Sequence, residues 1–112
     1  MVRIGSIVMN VSDLPRAAQF WSGALGYRAR PGSDGAILEP SDGDGPALTL
    51  DEDDRTHLDL WTADEAEQRA EVARLIALGA TLVDWRYPED ADFVVLADTE
   101  GNLFCVIDAS RS

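Results

Sequence analysis

At 112 residues, with 46% hydrophobic and 27% charged side chains, the chain has the composition of one compact globular domain and is too short for two independently folding ones. Twenty-one Asp and Glu against nine Lys and Arg leave a formal charge of −12, which repels phosphate backbones and anionic headgroups, so neither nucleic acid nor a membrane is expected as a partner. The single cysteine, Cys105, excludes an intrachain disulfide, and without a charged-then-apolar leader or an apolar run of ~18 residues a cytoplasmic location is expected.

In chain order, "IGSIVMNV" (4–11) reads as a β-branched strand, followed by Asp13 as the cap of a helix with Pro15 in its first turn. The apolar stripe of that helix is Leu14, Ala17, Ala18, Trp21 and Leu25, and Gly26 is placed to end it. "YRAR", "GAILEP" (35–40) and "PALTLD" (46–51) read as three further strands, separated by the turn-rich "PGSD" and "SDGDG". The order then recurs. "THLDLWT" is a strand, Asp64 caps a helix running to Leu78 with Glu67 completing a capping box, and Gly79 stops it. "ATLVDWR" (80–86), "DFVVLA" (92–97) and "LFCVID" (103–108) supply three more strands, the last two joined by the hairpin-like "DTEGN". The expected fold is therefore α+β, a single domain (1–112) of two βαβββ modules at about 1–51 and 56–110. Their strands should form a curved mixed sheet around a cleft, with the helices on the outer face.

Several of these segments carry a resemblance. "IVMNVSDLPRAAQFWSGALGY", "HLDLWTAD" and "LADTEGNLFCVID" are similar to the opening strand and helix, the third-quarter strand and the closing "DPxGN" hairpin of the vicinal-oxygen-chelate superfamily, and most of all of its small glyoxalase-like members. That superfamily includes glyoxalase I, the bleomycin-resistance proteins, fosfomycin-resistance enzymes and extradiol dioxygenases, so the resemblance implies a fold but leaves isomerase, lyase, oxygenase and pure binding roles open. It also implies four ligand positions facing the cleft, which in this sequence fall on Ser6, Thr49, His57 and Cys105.

His57 is the only histidine, seven residues before the capping Asp64, and Ser6 stands seven before Asp13. Strand alternation assigns Ser6, Val8 and Asn10 to the cleft face with Ile7, Met9 and Val11 behind them, and His57, Asp59 and Trp61 to the cleft face with Leu58 and Leu60 packed inward. Of the four implied positions only His57 offers a good ligand for an octahedral divalent ion, because Ser and Thr hydroxyls are weak neutral donors. Asp59 lies ~6.6 Å along the strand from His57 and is expected to point into a neighbouring part of the cleft. Cys105, between Phe104 and Val106, reads as a small buried hydrophobe with no nearby cation to activate it as a nucleophile. No cofactor is therefore expected, a divalent metal being the alternative. Trp21 reads as core, whereas Trp61 and Trp85 suit either stacking on a flat ligand or a dimer contact. The acidic stretch 41–54 reads as a solvated loop and linker that favours a cationic ligand.

Two functions follow as expectations. The first is a homodimeric small-molecule binding protein, holding an organic ligand against Ser6, Val8, Asn10, Thr49, His57, Asp59, Trp61 and Cys105, with sequestration of a toxic or antibiotic compound as a role it allows. The second is a lyase or isomerase, either metal-dependent with an incomplete ligand set or metal-free with His57 or Asp59 moving a proton.

Overall fold

The computed structural model describes residues 1–111. It has an α+β fold of two helices and eight strands, with parallel and antiparallel pairings mixed. The chain divides into two compact units, one of Gly5–Thr56 and the other of Met1–Ile4 together with the residues from His57 onward.

In the first unit, β1 (Arg3–Asn10, of which the residues from Gly5 onward belong here), α1 (Leu14–Leu25), β2 (Tyr27–Ala29), β3 (Ile37–Pro40) and β4 (Ala47–Asp51) follow the βαβββ plan. β4 lies parallel to β1, with Ser6 opposite Ala47 and Val8 opposite Thr49, while β2, β3 and β4 form an antiparallel meander. The helix starts where Asp13 Oδ1 accepts the Arg16 N–H at 3.2 Å and ends on Gly26, whose left-handed φ of 70° a side chain would strain. Ile7 and Met9 of β1, Val11 just after it, and Leu14, Ala17, Ala18 and Trp21 of α1 pack on a core of Leu38, Leu48 and Leu50. Leu25, expected on that stripe, is exposed instead: it occupies the last helical turn and is not among the side chains that pack on this core.

The second unit repeats the plan with β5 (His57–Thr62), α2 (Glu65–Ala77), β6 (Thr81–Leu82), β7 (Phe93–Ala97) and β8 (Leu103–Asp108), closed by a 3-10 turn at Ala109–Arg111. Here β8 lies parallel to β5 and antiparallel to β7, as β4 lies to β1 and β3. Leu96 and Val106 are fully buried, and the Gln68 side chain of α2 donates from Nε2 to the Val106 carbonyl at 2.9 Å and the Asp92 carbonyl at 3.0 Å, fixing the helix to the sheet. No buried side-chain N or O atom among the described residues lacks a hydrogen-bond partner.

β6 is much shorter than the expected 80–86, and the reason is local. Val83 N–H still reaches the Val95 carbonyl at 3.3 Å, but the reciprocal Val95 N–H donates to the Tyr87 hydroxyl at 2.8 Å rather than to a strand carbonyl. A side chain thus takes the hydrogen bond that would extend the ladder, and Trp85 lies outside any strand.

Candidate functional site

The polar residues expected to line a site fall into two groups, one in each unit. In the first unit, the Ser6 and Thr49 hydroxyls share a hydrogen bond at 2.7 Å, and Ser6 and Val8 are buried. Asn10 is engaged elsewhere. Its Nδ2 donates to the carbonyls of Asp54 at 2.7 Å and Asp51 at 3.3 Å, and its backbone N–H to Thr56 Oγ1 at 3.1 Å, so it ties the end of β1 to the acidic segment after β4.

In the second unit, strand alternation places His57, Asp59 and Trp61 on one face of β5, and the parallel register sets Cys105 of β8 opposite Asp59. His57 Nε2 lies 3.2 Å from Asp59 Oδ1, with the two side chains only 11% and 19% exposed. Asp59 therefore turns along the strand toward His57, contrary to the separation of ~6.6 Å expected from strand rise alone. Rise fixes the distance between backbone positions, whereas side-chain rotation about two bonds closes the remaining gap. One donor atom from each of His57, Asp59 and Cys105 lies within 4.8 Å of the others, and all three side chains are half-buried. Leu58, expected to pack inward, is partly exposed, while Leu60 is half-buried.

Two features beside this group have no counterpart in the strand pattern. The Arg3 guanidinium sits 5.7 Å from the centre of the Trp61 ring, a cation–π distance that puts a positive charge next to the face carrying the His57–Asp59 pair. The Tyr87 ring meets Phe93 at a centroid distance of 5.4 Å while its hydroxyl holds Val95, the residue opposite Cys105 on β7. The only sequence signal for Arg3 is a cation at the start of an apolar strand; Tyr87 lies in a loop where periodicity says nothing.

The donor set decides how far the metal positions implied by the resemblance fit. An octahedral site for Fe²⁺, Mn²⁺ or Ni²⁺ draws on imidazole and carboxylate ligands. Of Ser6, Thr49, His57 and Cys105, only His57 supplies such a ligand, and the Ser6 and Thr49 hydroxyls bond to one another. That octahedral set does not fit this chain. What the structure assembles is a different trio, imidazole, carboxylate and thiol, carried entirely by β5 and β8.

The model of the glyoxalase-like domain family matches residues 6–107. No curated protein matches the chain. Among solved structures, the chain resembles one described as an NAD-dependent benzaldehyde dehydrogenase from Legionella pneumophila, at TM-score 0.61 and 10% identity over 91% of this chain and 96% of that one. Methylmalonyl-CoA epimerase from Mycobacterium tuberculosis matches at TM-score 0.56 and 19% identity over 93% and 85%. The Streptomyces coelicolor epimerase bound to 2-nitronate-propionyl-CoA matches at 0.55 and 19% over 96% of each chain. At such identities the likeness is one of fold. With the family model spanning both βαβββ units, the chain belongs to the glyoxalase-like domain family.

Proposed function

We propose that the protein binds a small organic molecule on the strand face carrying His57, Asp59, Trp61 and Cys105, as a homodimer. The observation that carries this reading is the His57–Asp59 pair, largely withdrawn from water yet presenting an imidazole and a carboxylate on a sheet face rather than in a helix-packed core. Desolvating polar groups is costly and is tolerated where each finds a partner, here one another. Trp61 adds a flat apolar wall, and its Arg3 neighbour adds a cation that suits a ligand with an anionic or carbonyl end. This differs from the preference for a cationic ligand drawn from the acidic segment 41–54. Sequestration of a toxic compound would need nothing beyond this face.

The test is a thermal-shift screen of small carboxylic acids, ketones and aromatic amines, since binding to the native state alone raises apparent stability. A hit is expected to lose affinity tenfold or more in His57→Ala, equivalent to the ~1.4 kcal/mol of one good polar contact. A hit whose affinity is untouched by that change would place its binding elsewhere.

A second reading has its own observation. An imidazole and a carboxylate lie 3.2 Å apart on one strand face, the kind of pair with which an isomerase or lyase moves a proton to or from a bound carbon acid. Solvent deuterium entering a bound compound, and failing to enter it with Asp59→Asn, would favour catalysis over simple binding.

A further inference from the structure

We propose that Cys105 is a nucleophile, with His57 as its base and Asp59 steadying that base, and that it captures a flat conjugated carbonyl compound, an enone or enal, as a covalent thioether. The proposal rests on the ligand reading for this strand face and names the class of molecule held there.

A thiol attacks as its thiolate, so a reactive cysteine needs a base within reach. Phe104 and Val106, the chain neighbours of Cys105, supply none. The parallel register of β8 on β5 does, because it sets Cys105 opposite Asp59, and His57 stands two residues back on the same face. One donor atom from each of the three side chains lies within 4.8 Å of the others, and His57 Nε2 is 3.2 Å from Asp59 Oδ1. Nucleophile and base work at hydrogen-bond reach, about 3 Å, and are often looser before a substrate arrives, so side-chain rotation over about 1–2 Å completes the set. Cys105 is only half-buried, which leaves the sulfur within reach of a molecule on the face.

The chemistry selects the ligand class. The β-carbon of a conjugated carbonyl is a soft electrophile that suits polarisable sulfur, and the planar molecule suits the flat side of Trp61 on the same face of β5. His57 takes the thiol proton, sulfur bonds to the β-carbon, the C=C π pair moves toward the carbonyl as an enolate, and the imidazolium returns the proton to the α-carbon. The S–H thus adds across C=C, with nothing oxidised or reduced and no leaving group. Asp59 favours the imidazolium formed between the two proton transfers. The chain contains no lysine, whose amine would compete for the same electrophile.

The probe is benzylideneacetone, a flat aryl enone, with its saturated counterpart benzylacetone as the unreactive control. Loss of enone absorbance gives the rate, and peptide mass mapping gives the position. The expected result is one adduct per chain, on Cys105, formed at least roughly tenfold faster than on the same chain unfolded in urea or on glutathione at the same pH. His57→Ala should slow it about tenfold or more, Asp59→Asn by a smaller factor, and Cys105→Ser should abolish it. Circular dichroism verifies that each variant folds, and the native against unfolded wild-type comparison decides even where one does not. A native rate no higher than the unfolded one, an adduct on His57 in place of Cys105, or a folded His57→Ala protein as fast as wild type would overturn the proposal. Benzylacetone separates the two readings. A thermal shift with benzylacetone beside a slow thiol would sink the nucleophile and leave the ligand face standing, whereas a fast thiol without that shift would keep the nucleophile and count against non-covalent binding.

Discussion

Glu71 shows how one residue is fixed by partners that sequence distance conceals. Its side chain, 8% exposed on α2, accepts from Arg74 Nε at 2.6 Å and from the backbone N–H of Val2 at 2.6 Å, and the α-amino group of Met1 lies 3.7 Å away. The hydrogen bond from Arg74 outweighs the opposing effect of burial, and with the Val2 N–H and the nearby positive charges it brings the Glu71 pKa from 4.5 down to about 2. A carboxyl whose folded pKa lies below its unfolded one stabilises the fold fully above the unfolded value, and that contribution fades as pH falls through the folded value. Stability should therefore decline between about pH 4.5 and 2, and the decline should be shallower in Glu71→Gln when denaturant midpoints are compared across that range. Equal slopes in the two proteins would mean that other carboxylates govern the acid limb. Val2 and Glu71 are 69 positions apart, so no local pattern announces their contact. The i, i+3 spacing of Glu71 and Arg74 is legible, yet such pairs are ordinarily worth little when solvated. The candidate site divides the same way. Alternation puts His57 and Asp59 on one face, but only the rotamers show that Asp59 turns back toward His57 and that Cys105 joins them.

At the scale of elements, what was legible is what local chemistry determines. Asp13 and Asp64 cap α1 and α2, and Gly26 ends α1 in a left-handed conformation, because these are contacts within three or four residues. The second cap differs in one detail. Asp64 Oδ1 accepts the Glu67 N–H at 2.8 Å as expected, but Glu67 Oε1 returns to the N–H of Ala63 at 2.7 Å, one residue earlier than a regular capping box. Two otherwise unpaired donors are still satisfied, so Asp64→Ala should lower stability by about 1 kcal/mol, read as a fall in the denaturation midpoint at unchanged slope. An unmoved midpoint would show that Glu67 holds the first turn alone. The elements that pattern misjudged are those set by tertiary partners. β6 stops after Leu82 because the Tyr87 hydroxyl intercepts the Val95 N–H, and nothing in "ATLVDWR" encodes that competition. The 3-10 turn after β8 rests on Asp108 Oδ1, which accepts from the Ser110 N–H at 3.0 Å and hydroxyl at 2.6 Å, and on Arg111, which donates to the carbonyls of Asp90 and Ala91.

For the molecule as a whole, the repeat itself was the clearest feature of the sequence, since each βαβββ unit reproduces the same parallel pairing of its first and last strands. No helix among the described residues is long and apolar enough to cross a membrane. The second unit leaves large side chains in water: Leu78 is 67% exposed, Leu82 59%, Trp85 42% and Tyr87 39%. Leu82, Trp85 and Tyr87 line one shallow hollow beside the two-residue β6. Exposed aromatic and aliphatic groups next to a short strand are the composition of an interface core, and a second copy would supply the cover that the proposed homodimer requires. Opposing this is charge, because each copy carries −12 and association brings those charges together. Salt screens that repulsion, with a Debye length of ~8 Å at physiological ionic strength, while leaving the apolar contact intact. The expected outcome in sedimentation at micromolar concentration is thus a dimer whose dissociation constant falls as salt rises. Trp85→Glu should move it to monomer without unfolding it, since Trp85 lies outside every strand and helix. A monomer at every salt concentration would remove the homodimer from the proposed function, and a Trp85→Glu protein that remains dimeric would place the interface on another surface.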